Sequence, residues 1–119
     1  MAQPLEATGI DHVVLRCKDT ARSRAFYQGI LGMAVAHESD AYVFLRCGGQ
    51  TLALFRADGG LPSAREELDH IALTVTGDFD ATVDALAGHG LAVQTRANDP
   101  RCIYIEDPDG HRLQLLTDR

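Results

Sequence analysis

The sequence predicts an α+β fold made of two tandem βαβββ modules that form one curved sheet around a cavity. Internal repeats predict the two modules. Residues 10–15 reappear as residues 68–73, and residues 32–35 reappear as residues 90–93, so both matches have an offset of 58 positions. The ends of the two halves match in the same way at an offset of 61. Three matches in one order indicate an internal duplication.

The first module has a signal for each of its elements. Residues 10–17 alternate and are rich in branched side chains, which is typical of a strand. Asp19 is a good helix N-cap, apolar residues follow at helical spacing, and Gly32 is placed to end that helix. Three further strands are predicted, over residues 33–38, 42–47 and 51–56.

The second module repeats this plan. Residues 68–75 predict a strand, Asp78 is placed to cap a helix, and Gly90 to end it. Strands are then predicted over residues 91–95, 101–106 and 111–117. The segment Asp-Pro-Asp-Gly at 107–110 predicts a hairpin turn between the last two. We therefore expect modules over residues 9–57 and 68–117, joined by the linker 58–67 in a single domain that covers residues 1–119.

Length and composition limit the kind of protein. A chain of 119 residues is one domain, and about two-thirds of its surface can be buried on folding. The net charge is −6, with 11 Lys and Arg against 17 Asp and Glu. With no basic run, no Trp and few aromatic residues, a nucleic-acid partner is not expected. The first ten residues lack the features of a signal peptide, and no apolar stretch reaches membrane length, so we expect a cytoplasmic protein without a membrane partner.

The cysteines give no disulfide or metal pattern. Cys17, Cys47 and Cys102 are odd in number and widely spaced, with no Cys-x-x-Cys pair. We expect three reduced thiols in the core or half-buried. The alternative is that one of them is a nucleophile.

His12 and His70 occupy the same position in the two repeats. Each alone would be interpreted as a surface or core histidine. If the modules pack about a pseudo-twofold axis, however, equivalent positions near that axis converge, and neutral imidazole is the commonest transition-metal ligand. We therefore predict that the pair binds a divalent metal ion. His89 and His111 have no partner in the repeat and are expected at the surface, and His37 is left open.

The duplication, the two Asp-His starts and the late segment Asp-Pro-Asp-Gly-His-x-Leu resemble the vicinal oxygen chelate superfamily. That superfamily includes glyoxalase I, extradiol dioxygenases, fosfomycin-resistance thiol transferases and bleomycin-resistance proteins. The resemblance covers nearly the whole chain and implies a homodimer and a small-molecule substrate. It also implies metal ligands on the first and last strand of each module. Carried over, the first-strand ligands match His12 and His70, and the last-strand positions match Gln114 and Ala53.

The chain departs from the family at both last-strand positions, because neither carries a carboxylate. Gln114 offers only an amide dipole and Ala53 offers no ligand, so the affinity for a divalent ion is expected to be lower than with Glu. Fe, Mn, Zn and Ni are not distinguished, and the ion is expected to bind weakly or not at all. In addition, Val14 stands where the thiol transferases have Thr. These departures argue against fosfomycin modification, extradiol cleavage and glyoxalase I activity.

Two more residues are candidates beside this set. Tyr104 lies ten positions before Gln114, one hairpin arm away, where the family resemblance places a Tyr next to substrate or metal; we predict it as the catalytic proton donor. The alternative is an interior Tyr with a bonded hydroxyl. Arg16 shares the strand face of His12, and a buried cation there would need an anion, so it is predicted to bind a carboxylate or phosphate of the substrate. A paired Arg at the strand end is the alternative.

Three functions from different classes remain open. The first is a metal-assisted lyase, isomerase or dioxygenase, in which the ion chelates two adjacent oxygens of a small substrate and stabilises an enolate or oxyanion. The second is a metal-free protein of the bleomycin-resistance type that sequesters a small molecule. The third is a structural or regulatory dimer with a vestigial cavity.

Overall fold

A computed structural model of the protein describes residues 5–57 and 68–117. The order of elements is βαβββ twice, which confirms the α+β class and the two modules. The first module contains β1 (His12–Cys17), α1 (Thr20–Gly29), β2 (Ala34–Glu38), β3 (Tyr42–Cys47) and β4 (Gln50–Arg56). The second contains β5 (Ile71–Thr74), α2 (Phe79–Gly88), β6 (Gln94–Arg96), β7 (Asp99–Glu106) and β8 (Arg112–Leu116). The predicted linker 58–67 lies outside the described residues, and the module boundaries stay a prediction.

The strands form two four-stranded sheets, one in each module, with the orders β1-β4-β3-β2 and β5-β8-β7-β6. The first strand of each module pairs in parallel with the last, and the other pairs are antiparallel. The sequence predicted that the two modules form a single curved sheet. Because β1 and β5 are both edge strands and the pairing described stays within each module, the two sheets remain separate and the modules are joined by side chains.

Both helices begin and end where the sequence predicts. The Asp19 side chain accepts hydrogen bonds from the backbone N–H groups of residues 21 and 22, and Asp78 accepts one from residue 81. After each helix the chain turns through a glycine in the left-handed region, Gly32 at φ 73° and Gly90 at φ 81°. In the described ranges no helix is long and apolar enough to span a membrane.

The core lies on the helix side of the two sheets. It contains Leu15, Tyr27 and Leu54 of the first module together with Ile103 and Leu115 of the second. The opposite face of each sheet carries no helix, and we call these the first and second open faces. On the first open face Val14 is 45% exposed and Phe55 is 38% exposed. The candidate residues of the sequence lie on these open faces.

Helix α1 and the turn at residues 107–111 join the modules. The Lys18 N–H and the Ser23 hydroxyl donate hydrogen bonds of 3.1 and 3.0 Å to the Asp109 carboxylate. His111 was expected at the surface, and this expectation is wrong: the residue is half-buried and its Nε2 lies 2.8 Å from the carbonyl oxygen of Arg16. The predicted hairpin turn is therefore also one of the contacts between the two modules.

Candidate metal and substrate site

Each of the two matched histidines is hydrogen-bonded to the aspartate that precedes it. His12 Nδ1 lies 2.8 Å from Asp11 Oδ2 at the start of β1, and His70 Nδ1 lies 2.7 Å from Asp69 Oδ1 just before β5. Both imidazoles are partly exposed, at 46% and 37%. A carboxylate on Nδ1 places the ring proton there and leaves the Nε2 lone pair free for a ligand. Both modules thus present a histidine prepared to bind through Nε2.

The second open face brings three of the predicted residues together. Gln114 on β8 is in register with Tyr104 on β7 and Ala72 on β5. The ring of His70 stands edge-on to the Tyr104 ring, with centroids 6.3 Å apart. Gln114 Nε2 donates a 3.0 Å hydrogen bond to Cys102 Sγ, which leaves the amide oxygen as the atom that can bind a ligand.

Tyr104 is buried and lies between two guanidinium groups. The Arg112 Cζ atom is 3.9 Å from the centroid of the ring and the Arg96 Cζ atom is 5.2 Å from it. A hydrogen bond with Cys102, followed by burial, raises the pKa of Tyr104 above its ordinary value, while the two arginines act to lower it. The phenol therefore carries its proton at neutral pH, as a proton donor requires.

The sequence analysis missed the two arginines and the two aspartates. A signal for Arg112 was present, because it lies two residues before Gln114 on an alternating strand and hence on the same face. Arg96 follows Gln94 at the same spacing, but a bulge in β6 and β7 sets its position. The repeated Asp-His pair was visible, yet the aspartates were not given a role.

A cavity of about 390 Å³ opens beside Tyr104. Arg112, Gln94 and Glu106 supply polar groups to its wall, and Leu91 is among the apolar residues there. Another cavity of about 470 Å³ lies between the modules on the helix side and has a mainly apolar lining. None of the predicted site residues lines that second cavity, so the smaller one is the candidate substrate pocket.

The first open face carries His12 and Arg16 next to a cluster of aromatic rings. The Tyr42 ring lies 5.3 Å from Phe44 and 5.7 Å from Phe55, measured between centroids. The Arg16 side chain is exposed, so it does not need the counter-ion that a buried cation would need. Its role in substrate binding stays a prediction.

Ala53, on β4, is in register with Val14 and Phe44 and is fully buried. Its methyl group offers no donor atom. The last strand of the first open face therefore offers no metal ligand at the position where the family resemblance implies one.

The metal ligands predicted for one site lie on two sheets. Within residues 5–57 and 68–117, no three His, Cys, Asp or Glu side chains form a group that could hold a metal ion. That His12, His70 and Gln114 bind one ion stays a prediction.

Comparisons with known proteins agree on one family. The model of the glyoxalase/bleomycin resistance protein/dioxygenase superfamily matches residues 9–115. Metallothiol transferase FosB of Staphylococcus haemolyticus is 30% identical over 116 residues, covering 92% of this chain and 83% of that protein. Lactoylglutathione lyase of Haemophilus influenzae is 28% identical over 128 residues, covering 91% of each chain.

The fold is also that of solved structures. The fosfomycin resistance protein FosX of Listeria monocytogenes superposes with a TM-score of 0.76 at 20% identity, covering 96% of each chain. At this identity the likeness concerns the fold, while the family match extends over nearly all of the described sequence. The chain belongs to the glyoxalase/bleomycin resistance protein/dioxygenase superfamily.

Proposed function

We propose that the protein is a divalent-metal-assisted enzyme that acts on a small oxygen-rich substrate. In this proposal His12, His70 and Gln114 hold the ion, and Tyr104 donates a proton. The observation that carries it is the matched pair of Asp-His hydrogen bonds at the start of the two modules. A metallothiol transferase and a lactoylglutathione lyase among the relatives support an enzyme, and the first name supports a metal.

The donor atoms suit such an ion. Two imidazole nitrogens and one amide oxygen are ligands for Fe, Mn, Zn or Ni, and the aspartates on Nδ1 make the imidazoles better donors. A bound ion would act as a Lewis acid that polarises two adjacent substrate oxygens. Since none of the three ligands is charged, the binding is expected to be weaker than with a carboxylate at position 114.

Tyr104 supplies the proton transfer in this proposal. Its phenol is protonated at neutral pH, and its ring lies on the same face as His70 and Gln114. The hydrogen bond from Gln114 to Cys102 fixes the side-chain amide of Gln114 next to Tyr104. Replacing Tyr104 by Phe keeps the ring and its contacts with the arginines and removes only the hydroxyl, so turnover should fall while metal binding is kept.

A homodimer would complete the ligand set. The first open face of one chain carries His12, and the second open face carries His70 and Gln114. If these faces meet between two copies, His12 of one chain lies beside His70 of the partner subunit, and the exposed Val14 and Phe55 are covered. We propose that the site forms in this way.

The metal content of protein purified without a histidine tag tests the proposal. We expect a near-stoichiometric divalent ion that is lost in His12→Ala and in His70→Ala. Mixing the two variants should restore metal, because a mixed dimer holds one site with both histidines. His37→Ala is the matched control, since this histidine lies on the first open face and contacts Tyr42 instead of an aspartate. Metal-free native protein would overturn the proposal.

A metal-free protein that sequesters a small molecule is the second candidate. The uncharged Gln114 and the buried Ala53, at the positions where the family carries carboxylates, favour it. This function predicts a native protein without metal whose ligand binding is unchanged in His12→Ala and His70→Ala. The same metal analysis thus separates the two functions.

A further inference from the structure

We infer that Cys102 is a positioning residue whose sulfur turns the Gln114 side chain so that the amide oxygen, and not the NH₂ group, faces the proposed ligand site. This inference rests on the proposed function and adds a residue to its site. Cys102 itself supplies no ligand. It selects which atom of its neighbour is presented.

Cys102 lies on β7, two residues before Tyr104, and is fully buried. Side chains alternate along a strand, and Ile103 and Ile105 of β7 belong to the core on the helix side. Cys102 and Tyr104 therefore belong to the second open face, where Gln114 is in register with Tyr104. The thiol is thus next to the candidate site although it has no exposed surface of its own.

The Cys102 sulfur contacts the amide of Gln114 directly. Gln114 Nε2 donates a 3.0 Å hydrogen bond to Cys102 Sγ, and within residues 5–57 and 68–117 the Gln114 side chain makes no other hydrogen bond. Since Gln114 is only half-buried, its oxygen Oε1 stays available to a ligand. The same sulfur forms the hydrogen bond that raises the pKa of Tyr104. Cys102 is therefore beside both the proposed ligand and the proposed proton donor.

A glutamine can turn either end of its amide towards an ion, and only the oxygen end binds it. Rotation about the last side-chain torsion exchanges the oxygen and the nitrogen, and this torsion has two broad preferred values. The oxygen is an acceptor, whereas the NH₂ group only donates. In the reverse orientation the NH₂ group would lose the sulfur as its partner, which is costly for a partly buried donor.

A glutamate at position 114 would not need this selection, because its two carboxylate oxygens are equivalent. The chain carries glutamine there, so the orientation has to be set by a neighbour. We therefore treat Cys102 and Gln114 as a pair: the sulfur holds the nitrogen, and the oxygen is left for the ion. This dependence on the residue at position 114 separates a positioning role from simple packing.

NMR of ¹⁵N-labelled protein in EDTA tests the orientation without metal. In the native protein we expect a strong NOE between a Gln114 Nε2 proton and the Cys102 β protons, and an ordered side-chain amide. In Cys102→Ala the amide should become mobile, with an order parameter below about 0.6. Cys102→Ser keeps an acceptor and should keep the amide ordered. Cys102→Val also removes the acceptor but fills the space, and it is used if the alanine variant does not fold.

Cys17→Ala is the matched control for the NMR measurement. It removes another fully buried thiol, on β1 of the first module, and should leave the Gln114 amide as it is in the native protein.

Metal affinity, measured by competition with a chelator, provides the second test. Cys102→Ala should bind the ion about tenfold more weakly than the native protein, and Cys102→Ser should stay close to it. In the Gln114→Glu background, Cys102→Ala should leave the affinity unchanged, because either carboxylate oxygen can bind. A packing defect would weaken the affinity equally in both backgrounds.

Each outcome decides the inference. An amide that is ordered in the native protein and in Cys102→Ser, and mobile in Cys102→Ala, supports it. It is overturned if the native amide is mobile, if Cys17→Ala loosens it as much, or if Cys102→Ala weakens metal binding equally in both backgrounds. A native protein without metal overturns the proposed function, and the NMR result then decides the orientation alone. Metal binding with an amide that stays ordered in Cys102→Ala overturns this inference and leaves the proposed function standing.

Discussion

The Tyr27 hydroxyl donates a 2.7 Å hydrogen bond to Asp107 Oδ2, and both side chains are buried. Tyr27 belongs to α1 of the first module, and Asp107 begins the turn that leads into β8 of the second. The other carboxylate oxygen, Oδ1, accepts hydrogen bonds of 2.9 Å from the N–H groups of Asp109 and His111. Because β8 carries Gln114, this bond fixes the second open face relative to the first module.

Replacing Tyr27 by Phe should destabilise the protein by about 1–3 kcal/mol, since it leaves a buried carboxylate oxygen without its donor. Urea unfolding, followed by circular dichroism, measures the change. Tyr42→Phe is the matched control: the Tyr42 hydroxyl lies 2.9 Å from His37 Nε2 in an exposed pair, and its loss should cost no more than about 0.5 kcal/mol. Equal losses in the two variants would show that the Tyr27–Asp107 bond does not stabilise the contact between modules.

Stability should also fall at alkaline pH. Burial, followed by the charge of Asp107, raises the pKa of Tyr27 well above 10.0, and burial, followed by the charge of Asp109, raises the pKa of Cys17 above 9.0. In both cases the folded protein holds the proton more tightly than the unfolded chain. The contribution of these two groups to the free energy of unfolding is complete below about pH 9. It is lost as the pH rises through their pKa values in the folded protein.

The pH dependence of the urea midpoint between pH 7 and 11 checks this. In Tyr27→Phe and in Cys17→Ala, the urea midpoint should decline less steeply above about pH 9 than in the native protein. Each variant lacks one of the groups that lose their proton at lower pH in the unfolded chain than in the folded protein. Tyr42→Phe serves again as the control and should follow the native curve. A native protein whose stability is constant up to pH 11 would contradict the expectation.

Elements that depend on neighbouring residues were predictable from the sequence, and contacts between distant residues were not. Asp19 and Asp78 cap their helices through residues two or three positions away, so the local pattern contained the information. The bond from Tyr27 to Asp107 spans 80 positions. Nothing in the turn segment indicated that its first aspartate is buried against a helix of the other module.

The candidate site shows the same limit. Strand alternation placed Tyr104 and Gln114 on one face, as the structure does. It did not reveal that Arg96 and Arg112 both lie against the Tyr104 ring, since that depends on how β6 and β8 pair with β7. Repeat symmetry gave His12 and His70 equivalent places, one in each module, and each module closes its own sheet. Convergence of the two histidines on one ion stays a prediction.

The aspartates beside the histidines should control metal affinity. Asp11→Asn and Asp69→Asn each replace a carboxylate on an imidazole Nδ1 by an amide, which makes the ring a weaker donor and orients it less firmly. We expect affinity to fall about 10- to 100-fold in each variant. Competition with a coloured chelator measures it. Asp40→Asn is the control, because it removes the same charge in the turn between β2 and β3. A loss of the same size in all three variants would attribute the effect to net charge alone.

Gln114→Glu should strengthen metal binding. The substitution puts a negative charge on β8, on the second open face. One additional charge next to a divalent ion is expected to raise the affinity for that ion at least about tenfold. It also removes the hydrogen bond that Gln114 Nε2 donates to Cys102 Sγ, so a small loss of stability should accompany the gain. Chelator competition and urea unfolding measure the two effects separately.

Gln94→Glu is the control for this substitution. Gln94 lies on β6 and is in register with Tyr104, on the side away from Gln114. The substitution Gln94→Glu therefore adds the same charge to the same face at a different place. If Gln114 is a ligand, only Gln114→Glu gains affinity, and the gain disappears when His70→Ala is combined with it. An equal gain in Gln94→Glu would mean that the metal responds to the field of the face and that position 114 does not contact it.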